Sequence, residues 1–346
     1  MDRPEIIRSL FRQKSGEIRT PVFPMLAADH GSELAGIGLS RVLREKSAIV
    51  DAYSSMMETY KPDGLLFFSD VGLEAEAAGM ELTISDDDGA SPLKHVHFDE
   101  IREVDPSRDG RLPMYLSALL KLVGTYHDQV PVFCSMKDPF SLAAQAVGSE
   151  DFFVACVLQP ELVDVAMRRA AFNQARLVEA IIDSDATPFI GAPMASGSLI
   201  SPVMFERFVS PALQALFEQI HENGLCTCLH ICGDIKPVLP MLSQLSLDLL
   251  SIEAITSELA EQYLKRTVIM GIADTDALLR GTPQKCRMEA DRSHSILPEF
   301  SVISTGCDIP RFAPPENVLA FLNRARELSQ IKSYNPAPQI PDDLHE

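Results

Sequence analysis

One imidazole and two thiols carry the clearest chemistry in this chain. His230 and Cys232 stand in Leu229-His230-Ile231-Cys232-Gly233-Asp234, and Cys307 follows 75 residues after Cys232, in Thr305-Gly306-Cys307-Asp308-Ile309-Pro310. A histidine nitrogen and two thiolates are three sides of a tetrahedral zinc site. Structural zinc sites are closed by four protein ligands, usually in tight paired spacings, whereas three ligands leave the fourth position to substrate. Soft thiolates select zinc over magnesium or calcium and leave the metal electron-rich, which suits a bound thiol better than a bound water. The competing reading is packing, because cysteine is among the most buried residue types and behaves as a small hydrophobe.

Two residues apart on an extended segment, His230 and Cys232 face the same side, so one ion can meet both. Cys226 and Cys228 share that parity. At roughly 3.3 Å per residue Cys226 lies about 13 Å from His230 and is out of reach, while Cys228 is not; packing is the simpler role for both. Met25 and His30 are candidates for a fourth ligand, against a core role. Asp70 and Glu74 could touch substrate or assist a proton, or simply cap a helix. Glu253 and Asp274 could ligate zinc or orient His230 through its other ring nitrogen.

A ligand set this widely spaced needs a large scaffold. Short apolar and β-branched runs at 21–26, 64–68, 130–134, 188–191, 226–231, 248–252, 268–271 and 301–304 alternate with helix-patterned stretches, the signature of a parallel sheet covered by helices. Helices are predicted from a Ser40 cap through Met57, from Pro160 to about Ile182, from Ser201-Pro202 to His221, and opening at Pro283 and Pro315. Eight strands with intervening helices make a single (β/α)8 TIM barrel over the whole chain, with its chemistry at the C-terminal strand ends. His230, Cys232 and Cys307 all fall there. No Gly-x-Gly-x-x-Gly follows a strand, which removes the dinucleotide-binding alternative. The stretch 80–99 reads as an inserted hairpin whose turn, Asp86-Asp87-Asp88-Gly89, is a solvated tip, because the oxygen-ligand spacing of a calcium loop is absent. Residues from about 333 to 346 read as a tail.

With 30 basic and 49 acidic residues the formal charge is −19, which repels phosphate backbones and anionic lipid and argues against nucleic acid or a membrane as partner. The opening Met1-Asp2-Arg3-Pro4-Glu5 lacks a signal-peptide pattern, and no apolar run approaches the length of a membrane span. Seven cysteines without repeated spacing argue for reduced thiols and a cytoplasmic location.

Several separated motifs carry a family likeness. Phe68-Ser69-Asp70-Val71-Gly72-Leu73-Glu74-Ala75-Glu76-Ala77-Ala78-Gly79, Asp138-Pro139-Phe140-Ser141-Leu142-Ala143, Ala195-Ser196-Gly197-Ser198-Leu199-Ile200-Ser201-Pro202 and the His230/Cys232 segment resemble the uroporphyrinogen decarboxylase superfamily. Within it the chain resembles the corrinoid-dependent methyltransferase branch, which includes the methylcobamide:coenzyme M methyltransferases. The resemblance spans about residues 5 to 328 and implies zinc held by His230, Cys232 and Cys307. It also implies a methyl group exchanged between a corrinoid (methylcobalamin) and a small-molecule thiol or methoxylated compound. This chain shows no Asp-x-His-x-x-Gly segment, so a small corrinoid-binding protein would be the partner. Asp70 sits where the decarboxylases carry their catalytic aspartate. Their arginine-rich opening is here Phe23-Pro24-Met25-Leu26-Ala27-Ala28-Asp29-His30, and Cys307 replaces a histidine, which turns the reading away from a decarboxylase of porphyrin synthesis. Ile190-Gly191-Ala192-Pro193 lacks the aspartate many branch members carry before that proline. The other alternative is a non-catalytic corrinoid-handling accessory protein.

Overall fold

Alternation along the apolar runs sorts their side chains into two cores. Leu66, Phe133, Phe189, Cys228, Leu249, Val268 and Met270 face the inside of a curled sheet, while Leu65, Phe67, Val132, Ile190, Leu229, Leu250 and Ile269 pack under the helices outside it. The chain, described by a computed structural model for residues 1–14, 17–329 and 331–333, forms seven parallel strands in one sheet. They are Leu65–Phe67, Val132–Lys137, Thr187–Gly191, Cys228–Ile231, Leu249–Ile252, Val268–Ala273 and Val302–Thr305, paired in chain order.

Of the eight predicted strands the first, at 21–26, is not one. Val22 pairs with Ile303 in a single parallel bridge, and the Val22 amide and carbonyl are taken by the side chain and amide of Asp63. Pro21 and Pro24 flank this bridge, and neither can donate to a ladder. The outcome is a curled seven-stranded parallel sheet, with segment 21–26 laid between its two edge strands.

The N-terminal helix Arg3–Leu10, opened by a capping box between Asp2 and Glu5, sends Ile6, Ile7 and Leu10 into the inner core. Its Arg3 guanidinium donates to the carbonyls of Leu264 and Thr267, just before the strand that begins at Val268. The N-terminal end of the curl is therefore stoppered, and the C-terminal strand ends are the open side.

Helices Pro160–Ile182, Pro283–Ile296 and Pro315–Leu328 open at the expected prolines. Ser201 caps its helix through the Met204 amide, and a π-helical turn, Phe205–Val209, precedes Ser210–Glu222. The helix expected from Ser40 is two, Leu39–Val42 and Lys46–Tyr60, and the Ser40 amide donates to Asp86 instead of Ser40 capping a helix. Asp86 belongs to the inserted hairpin, Glu81–Ser85 against Gly89–Lys94, whose exposed acidic turn also accepts Arg311 at the Asp86 and Asp87 carbonyls. Among the described residues no single helix is long and apolar enough to cross a membrane. The expected tail beyond 333 lies outside the described residues.

Candidate metal centre

His230 is placed by its neighbours in the sheet. It pairs in register with Gly191 on one side and Ser251 on the other. Gly191 puts no side chain over the imidazole, and Ser251 offers a hydroxyl. His230 Nδ1 lies 3.1 Å from Ser251 Oγ, and that hydroxyl in turn donates to Met25 Sδ at 3.4 Å. The arrangement assigns the proton to Nδ1 and turns Nε2, as an acceptor, toward the thiols.

Cys232 follows immediately after its strand. The next residue, Gly233, has φ +72°, and a Cβ there would stand 2.9 Å from the hydroxyls of both Ser196 and Ser198; only glycine lets the chain turn this tightly against that segment. Ser198 Oγ also accepts the Asp234 amide, so the Ala195–Pro202 motif braces the ligand loop. On the other side Gly306 donates to the Ala273 carbonyl, and a Cβ on it would come within 2.9 Å of the Glu253 backbone. That close approach delivers Cys307 over the same strand ends.

The three ligand atoms converge. His230 Nε2 lies 3.0 Å from Cys232 Sγ and 3.7 Å from Cys307 Sγ, and the two sulfurs are 3.7 Å apart. Two thiolates bonded to zinc at about 2.3 Å stand about 3.8 Å apart across a tetrahedral edge. The sulfur pair therefore fits zinc as it stands, and the His230–Cys232 edge needs to open by only about half an ångström. Among the described residues this is the only group of three or more metal-binding side chains. Burial lowers the His230 pKa, but the Cys307 thiol, Asp308 and Glu253 outweigh it, and the ring is held above its ordinary value. The Cys307 thiol is pushed up, first by its hydrogen bond with Cys232 and then by burial. A dication among these atoms reverses that preference, since a coordinated thiol is deprotonated outright.

The set opens onto a cavity of about 220 Å³. Its walls are largely apolar, from Met25, Leu66, Phe68, Met136 and Phe189, with Glu74, Lys137 and Asp308 as further ionisable groups. Lys137 Nζ lies 2.6 Å from Glu74, and the Lys137 amide donates to the same carboxylate at 2.7 Å. Burial pushes the Asp308 carboxyl up to about 6, against the opposing influence of His230.

The other sequence-based candidates fall elsewhere. Asp70 is turned away from the cavity into a two-pronged ion pair with Arg111, at 2.7 and 3.1 Å, and accepts the Ser69 hydroxyl and Gly72 amide. Asp274 is the N-cap of helix Thr275–Arg280. Glu253 is exposed beyond its strand. Both ring nitrogens of His30 are engaged, Nδ1 with the carbonyls of Pro310 and Arg311 and Nε2 with the Tyr60 hydroxyl, which leaves none for a metal. Met25 lines the cavity, with its sulfur toward Ser251. Cys226 and Cys228 belong to the inner core. Sequence reasoning missed Ser251, Lys137 and Asp308, although each lies within about four residues of a predicted strand end. Removing the orienting hydroxyl with Ser251→Ala should lower metal affinity about 10–100-fold; chelator competition measures it, and unchanged affinity would remove Ser251 from this role.

The sequence matches the family described as Uroporphyrinogen decarboxylase (URO-D) over residues 3–328. A methylated-thiol–coenzyme M methyltransferase of Methanosarcina mazei is 26% identical over 79% of this chain and 73% of its own length. A methylcobamide:CoM methyltransferase of Methanosarcina acetivorans is 27% identical over 74% of this chain and 77% of its own. Relatives named uroporphyrinogen decarboxylase match as well, among them one of Nostoc punctiforme at 25% identity over 83% of this chain and 85% of its own. The fold is shared with a solved methyltransferase from Methanosarcina mazei, at TM-score 0.83 and 20% identity over 94% of this chain and 99% of that one. The chain belongs to the uroporphyrinogen decarboxylase family.

Proposed function

We propose that this protein is a zinc-dependent methyltransferase, moving a methyl group between a corrinoid held by a separate small protein and a small-molecule thiol or methoxylated compound. The observation that carries this reading is the convergence of His230, Cys232 and Cys307 on one wall of a largely apolar cavity at the open end of the sheet. Zinc bound there would hold a substrate thiol as thiolate or polarise a methoxyl oxygen. Ser251 and Met25 keep the imidazole in the tautomer that faces the thiols, the aromatic and thioether walls exclude water from the transfer, and the Glu74–Lys137 pair offers the polar contact that orients substrate. The seven free thiols suit a reducing cytoplasm. We read the curl itself as a (β/α)8 barrel whose first strand is reduced to the Val22 bridge.

The decarboxylase reading meets an electrostatic obstacle. A polycarboxylate needs several unpaired cations, and among the described residues the cavity offers, beside His230, only Lys137, already paired with Glu74. The test is a pair of assays on zinc-loaded protein. Cobalt absorption of free or methylated cobalamin, with thiols and methoxylated aromatics in turn, should change with at least one compound, and uroporphyrinogen should be left intact. Unchanged cobalt spectra with every compound and with the corrinoid protein encoded nearest this gene would favour the accessory-protein reading. Enzymatic decarboxylation that survives a chelator would establish the decarboxylase.

A further inference from the structure

We propose that the buried Glu74–Lys137 pair selects substrate by charge, so that the site takes a neutral methyl-bearing compound with a hydrogen-bond acceptor and refuses a sulfonate or carboxylate. The inference rests on the methyltransferase reading and names the class of its small molecule. Both side chains are nearly enclosed, Lys137 at 8% and Glu74 at 7% exposure. One Glu74 oxygen accepts the ammonium and the other accepts the Lys137 backbone amide, so the carboxylate is fixed to this one residue and neutralises the cation. Among the described residues no arginine lines the cavity, and its remaining ionisable wall group outside the ligand set is an acid, Asp308. The nearby guanidinium, Arg111, is committed to Asp70 and Glu76. A dication with two thiolate ligands adds no net positive charge either.

An anionic group entering this space would lose its hydration and meet a neutral pair and a carboxyl, a desolvation cost with no compensating cation. A neutral ether, thioether or hydroxyl compound has no such cost. An ammonium carries three donors, and those not used on Glu74 can reach an oxygen acceptor while Phe68, Phe189 and Met136 enclose the carbon part.

The test uses zinc-loaded full chain and two probes of matched length, methylthioethanol and methylthioethanesulfonate, with binding read by titration calorimetry. The neutral probe should bind at least about tenfold tighter. Glu74→Gln, which keeps the shape and frees the ammonium, should reverse that order, and Glu74→Gln with Lys137→Met should erase the gain for the sulfonate. Equal or tighter binding of the sulfonate to the unaltered protein overturns the proposal, as does binding of neither probe. Should Glu74→Gln fail to fold by circular dichroism, the comparison on unaltered protein still decides. Cobalt spectra report transfer separately: charge-selective binding without methyl transfer would defeat the transferase reading and leave charge selection standing.

Discussion

Cys307→Ser is expected to strip the protein of zinc and lower methyl transfer by about a hundredfold or more, while leaving the fold in place. Loss of a group that merely orients a metal ligand already costs about 10–100-fold, so loss of the ligand itself sets that range as a floor. The hydroxyl is a harder and less acidic donor than the thiol, and zinc prefers thiolate. The fold should survive because Cys307 is only partly buried and lies in a loop after its strand, whose placement depends on the Gly306–Ala273 and Ile309–Met25 backbone bonds. Elemental analysis, circular dichroism and cobalt absorption read the three claims separately. Full zinc content with full activity would show that these thiols are packing residues after all.

Arg111→Ala should destabilise the protein by about 3–5 kcal/mol, the usual consequence of leaving buried charge without its partner. The guanidinium, 11% exposed, serves Asp70 and Glu76 at once and also donates to the Leu43 carbonyl. It thereby ties the loop after strand Leu65–Phe67 to the start of helix Leu112–Tyr126. Burial raises the Asp70 pKa, but Arg111, Ser69 and Lys137 outweigh it and hold the carboxyl below its ordinary value. Its contribution to stability is thus complete above the ordinary carboxylate range and is lost as pH falls through the lower, folded value. The gap between the two proteins in urea unfolding should accordingly be widest near neutrality and narrow in acid. A loss under about 1 kcal/mol would show this pair to be no stronger than a surface ion pair and reopen a chemical role for Asp70.

Parity and strand-end position made the convergence of His230, Cys232 and Cys307 legible. His230 and Cys232 needed only a two-residue spacing on an extended segment, and helix starts at Pro160, Pro283 and Pro315 needed only proline's missing donor. Other features depended on information no local pattern contains. Ser251 matters because register sets it beside His230 across two strands, and Arg111 reaches Asp70 from 41 residues away. Lys137 ends a buried strand and gains its meaning from Glu74, 63 positions earlier. At 21–26 the apolar signal was real but Pro21 and Pro24 cut the ladder to one bridge. Ser40 had the composition of a helix cap, yet a hairpin aspartate took its amide.

His230 and Cys307 are 77 positions apart in the chain, the first on strand Cys228–Ile231 and the second just after strand Val302–Thr305, and these two strands are separated in the sheet by Leu249–Ile252 and Val268–Ala273. A cation held by that set would tie these four strands together in the native state and would find no such set in the unfolded chain. Folding and metal loading are then linked equilibria, in which melting temperature rises with free zinc according to mass action. A stability measured in phosphate with a trace of chelator and one measured in a zinc buffer would describe two different reference states of the same protein.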